Sequence, residues 1–97
     1  MIAEKITIDG IEYPFLFGTL AFVELESFTS KGNMTEMVES IRLGLKWGAF
    51  DCDQPEPDWN KIKKVLNKDP GLLFKLSGVV ESHVKLVGEQ IQKAAKR

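Results

Sequence analysis

The chain has 97 residues, room for one domain, and folding at that size hides only about two-thirds of the surface of the unfolded chain, so the expected core is thin. With 43% hydrophobic and 28% charged residues it is too apolar and too patterned for a disordered chain, yet no apolar run approaches the roughly 18 residues of a membrane span. Thirteen Lys plus Arg against fourteen Asp plus Glu leave a net charge of −1, which removes any general drive toward nucleic acid or anionic lipid.

Residues 4–17 alternate apolar and polar side chains around Asp9-Gly10, the pair a two-residue type I′ turn requires, and predict a β-hairpin. Ile6 and Ile8 should share a face with partners drawn from Ile11, Tyr13, Phe15 and Phe17, while Pro14, lacking an N–H, belongs on an edge. Two strands alone are marginal, so helices must cover that face.

Gly18 breaks the strand, and Thr19 is the expected N-cap of a helix reaching Ser30 and stopped by Lys31-Gly32-Asn33. Its core stripe is Ala21, Leu25 and Phe28 with Phe22 beside it; Leu20 and Val23 point elsewhere, which predicts cover from two directions. Thr35 is the expected cap of a second helix ending near Ala49, with Glu36 and Glu39 in its early turns where acids suit the dipole. Met37, Val38, Ile41 and Leu45 form its main stripe. Leu43, Trp47 and Phe50 form another, rotated well away, which a single core contact cannot bury.

Residues 51–57, with two prolines and alternating acids, read as a loop. Asp58 caps a short helix bearing Trp59, Ile62, Val65 and Leu66, and Asp69-Pro70 starts the last one, with proline in the first turn where its missing N–H costs nothing. That helix should run to about Lys96 with a stripe of Leu73, Leu76, Val80, Val84, Val87, Ile91 and Ala94. At 1.5 Å per residue it would reach roughly 40 Å, longer than a domain this size is wide. Its end must project, kink near Gly78 or Gly88, or pack on another chain. The only basic cluster read from the sequence is terminal: Lys93, Lys96 and Arg97 close this helix, where cations complement the dipole. The expected fold class is α+β: one mainly helical domain over 1–97, an N-terminal β-hairpin followed by about four α-helices.

The inventory for chemistry is poor. Cys52 and His83 are single and thirty-one residues apart in sequence, with no nucleophile motif around either. His83, on the apolar face of the last helix, reads as a hydrogen-bonding residue at the edge of a core. Asp51, Asp53, Glu56 and Asp58 crowd one loop, but Ile62 stands where a calcium loop needs its bidentate carboxylate, so the acids read as a solvated loop. Gly44 and Gly48 form a Gly-x-x-x-Gly that predicts close helix–helix packing. No phosphate loop or dinucleotide fingerprint is present. The expectation is therefore a non-enzymatic protein without cofactor, metal, small-molecule substrate, nucleic acid or membrane as partner. The lone cysteine, and an N-terminal stretch without a signal-peptide core, point to reducing cytoplasm.

What remains is surplus apolar surface: Leu43, Trp47 and Phe50 on the second helix, and Phe74 on the polar side of the last. Exposed aromatic clusters mark protein contacts. Either a neighbouring helix covers these residues or a partner does.

The run Ile6-Thr-Ile-Asp-Gly-Ile-Glu-Tyr-Pro-Phe-Leu-Phe-Gly18, then Leu25-Glu26 in a helix, then Ile41-Arg-Leu-Gly-Leu-Lys-Trp-Gly48, resembles the small tail assembly chaperones of long-tailed bacteriophages and prophages. The likeness covers most of residues 6–50; the acidic proline-bearing loop and the long last helix depart from it. It implies a chaperone in the bacterial host cytoplasm that binds the aggregation-prone tape measure protein, or tail-tube subunits, before the tail polymerises. The apolar surplus itself predicts a homo-oligomer, a dimer or larger ring held by the last helix or the aromatic stripe. The resemblance carries no catalytic residue across. The rival expectations are a small adaptor of a mobile element and a minor subunit that stays in the virion.

Overall fold

A computed structural model describes residues 3–26 and 33–95. Among them the chain forms an antiparallel hairpin, β1 (Glu4–Ile8) and β2 (Ile11–Phe15), then four helices, α1 (Thr19–Leu25), α2 (Asn33–Asp51), α3 (Trp59–Lys68) and α4 (Pro70–Ala95). This is the mainly helical α+β arrangement the residue pattern predicts.

Asp9 and Gly10 both take positive φ, 51° and 78°, as the tight turn demands, and they set the register Ile8 opposite Ile11, Ile6 opposite Tyr13 and Glu4 opposite Phe15. One face therefore carries Ile6, Ile8 and Phe15, all buried, while Lys5, Thr7 and Glu12 face out. Phe17 lies beyond the last strand residue and is nonetheless fully buried.

α2 is the central element, with β2, α1 and α4 packed against it. Its Gly-x-x-x-Gly receives the strand rather than another helix. A Cβ on Gly44 would run into the Phe15 ring, and one on Gly48 would strike the Pro14 backbone carbonyl. The two glycines thus let the hairpin lie directly on the α2 backbone, and the Leu16 N–H donates to the Gly44 carbonyl at 3.0 Å. Close approach was the right reading of the motif, and helix–helix packing the wrong one.

Several boundaries shift. Gly18, in extended conformation, is the N-cap of α1 and its carbonyl accepts from Phe22 N–H at 3.0 Å; Thr19 is already inside the helix. α1 ends at Leu25, and Phe28, Ser30, Lys31 and Gly32 lie outside the described residues. α2 begins at Asn33, so Thr35 is a first-turn residue and not the cap, and it continues two residues past Ala49 before Gln54 N–H closes on the Ala49 carbonyl at 2.8 Å. Asp58 caps α3 as expected, accepting from Asn60 and Lys61 N–H at 3.1 and 3.4 Å. Asp69 performs the same service for α4, accepting from Leu72 N–H at 3.1 Å ahead of Pro70.

α4 is a single helix of 26 residues with no break at Gly78 or Gly88. Leu76, Val80, His83 and Val87 bury one face, and from Glu89 to Ala95 every residue is exposed. The end projects, in a molecule 45 Å along its longest axis. His83 fastens the helix to the hairpin: its Nδ1 accepts from the buried Phe17 N–H at 3.1 Å, and its Nε2 stands 3.4 Å from Glu4 Oε2. An imidazole that accepts at Nδ1 carries its proton on Nε2, the nitrogen turned toward the carboxylate.

Candidate functional site

The stripe Leu43, Trp47, Phe50 does not remain one surface. α1 packs along this side of α2, with Glu24 bonded to Lys46 Nζ at 2.9 and 3.2 Å, and Leu43 is completely enclosed. Leu43 is therefore a core residue; the cover comes from within the chain. Trp47 is half-buried against the core, and Phe50, one turn further on, is 70% exposed.

Phe50 stands as a ridge between two shallow grooves. On one side Leu16, Leu20, Trp47 and Asp51 surround a groove of about 200 Å³; on the other Lys46, Trp47, Gln54 and Glu56 surround one of about 220 Å³. Trp47 walls both. Its ring meets the Phe50 ring edge-on, centroids 5.3 Å apart at 75°, and Lys46 Nζ lies 4.9 Å from the indole centroid. Trp47 Nε1 is buried with no hydrogen-bond partner among the described residues. The rim is acidic: Asp51 borders one groove and Glu56 the other, both exposed, whereas Lys46 already pairs with Glu24.

Leu20 belongs to this surface, and the candidate residues chosen from the stripe missed it. It is 55% exposed, as is Val23 one turn along α1: the helix does pack on two neighbours, α2 and α4, but neither covers these two residues. The signal was present in their off-stripe position; it pointed to an open face instead of a second contact.

Phe74 lies elsewhere. It is 62% exposed on α4 and lines a groove of about 490 Å³ with Leu25, Met37 and Val80, sharing no lining residue with the Phe50 grooves. The four candidates thus resolve into a core residue, a wall, a ridge and a separate groove.

Cys52 is exposed on the turn after α2, while both ring nitrogens of His83 face Phe17 and Glu4. Among the described residues no three His, Cys, Asp or Glu side chains are placed to hold a metal ion, and no helix is long and apolar enough to cross a membrane. Asp58, one of the four loop acids, is committed to its helix cap.

No protein-family model, curated protein or solved structure matches this chain.

Proposed function

We propose that this protein binds another polypeptide through the Phe50 ridge and its two grooves, and holds that client soluble before assembly, as do the tail assembly chaperones its residues 6–50 resemble. The client on this reading is a tape measure protein or a tail-tube subunit. The observation that carries the proposal is the exposure of Phe50 beside a half-buried Trp47. An aromatic pair in shallow apolar grooves, fringed by charge, is the composition of an interface centre with a polar rim. Leaving a phenylalanine in water forgoes about 2 kcal/mol of burial, which a client would recover.

Self-association belongs to the same proposal, with the exposed Leu86 and Ile91 in the C-terminal half of α4 as its contact residues. The chain would then present several copies of the ridge to one long client.

Co-expression with a tape measure protein is the test. The proposal expects a complex that co-purifies and a client that stays soluble, both lost with Phe50→Asp. A client equally soluble with and without this chain rejects it. Detection of the chain by mass spectrometry in purified particles would favour a resident structural subunit.

A further inference from the structure

α3 carries four lysines in ten residues and no acid, and Lys61, Lys63, Lys64 and Lys68 are all exposed. α3 is therefore a second concentration of positive charge, contrary to the expectation of a terminal cluster alone, and it is hidden in the near-zero net charge of the chain. Lys68 sits in the last turn, where the helix dipole accounts for it. The other three have no such explanation, and none has a carboxylate within ion-pair distance among the described residues.

Beside them lies a concavity of about 900 Å³, larger than either Phe50 groove. Asn60, Lys63, Lys64 and Asn67 form its polar wall, and Val38 from α2 with Leu66 and Leu73 provide an apolar floor. We propose that this groove docks an acidic amphipathic helix of a partner protein, its apolar side chains on Val38, Leu66 and Leu73 and its carboxylates on Lys63 and Lys64. Charge complementarity selects the occupant, because two unpaired ammonium groups border an apolar trough. A phosphate backbone gains nothing from an aliphatic floor with no aromatic ring to stack a base. A bilayer surface does not enter a concave groove between helices. The site lies apart from the Phe50 ridge, whose rim has the opposite charge, and it stands whether or not the ridge binds a chaperone client.

The test uses fluorescence anisotropy of a labelled helical peptide of roughly 15 residues, Leu at i, i+3, i+4 and i+7 and Glu elsewhere, titrated with the full chain. Controls are a shuffled peptide of the same composition and one with Lys in place of Glu. The groove predicts binding of the ordered Glu peptide alone, weakening with salt, falling about tenfold or more in Lys63→Glu/Lys64→Glu and unchanged in Phe50→Asp. Circular dichroism checks that the double variant is folded, and Lys63→Gln/Lys64→Gln provides the same comparison without charge reversal. Equal binding of the shuffled peptide, no loss in either double variant, or displacement of the peptide more readily by a short DNA duplex or phosphatidylserine vesicles would overturn the proposal. So would self-association that fills the groove and is abolished by the same lysine changes.

Discussion

At the scale of single residues, His83 and Phe50 mark the two extremes of the molecule. His83 is buried because it satisfies a backbone donor: the Phe17 N–H, itself interior, has the imidazole Nδ1 as its acceptor. Replacing it with Leu keeps the volume and strands that N–H, so His83→Leu should cost about 1 to 3 kcal/mol in urea unfolding. Phe50 is the reverse, a large apolar group with little to lose. Phe50→Asp, which loses the Trp47 ring contact and adds an acid to the last turn of α2, should cost about 1 kcal/mol, whereas Trp47→Asp, which places a charge against the core, should cost about 3 kcal/mol or more by the same measurement. Phe50 is therefore the position to probe, because a Trp47 variant would confuse misfolding with lost binding. Leu43 could not have been assigned correctly from its stripe, because its burial depends on which parts of the chain pack on that side of α2, and no local pattern states that.

At the scale of elements, local chemistry was legible and neighbours were not. Asp9-Gly10, the alternation on either side, and the Asp58 cap act through residues within a few positions, so the hairpin and the start of α3 could be read directly. The Gly44 and Gly48 pair announced a close approach without saying by what. Since Pro14 main chain occupies the space above Gly48, Gly48→Ala should destabilise by about 1 to 3 kcal/mol despite alanine's better helix propensity. Gly78, also helical, has nothing within 4 Å of where its Cβ would stand, and Gly78→Ala should stabilise by about 0.5 to 1 kcal/mol. Thermal melts of the two variants should move in opposite directions. The lysines of α3 are illegible for a different reason: a chain-wide charge sum averages a basic helix against an acidic loop that adjoins it.

At the scale of the whole molecule, the premise that ninety-seven residues hold more apolar surface than they can enclose stands in reduced form. Leu43 and one face of α4, from Leu76 to Val87, are covered, while Leu20, Val23, Phe50, Phe74, Leu86 and Ile91 stay open. The exposed last turns of α4 lead to a prediction for assembly: light scattering should give a mass above the 10.9 kDa protomer, and Leu86→Glu/Ile91→Glu should return it to that mass. The central claim, that Phe50 is where a client sits, is tested most directly by placing p-benzoylphenylalanine at position 50 and irradiating cells that co-express the tape measure protein. A covalent adduct of chain and client from position 50, with none from an exposed control at Glu12, is the predicted result. No adduct from position 50, or one of equal yield from Glu12, would contradict it.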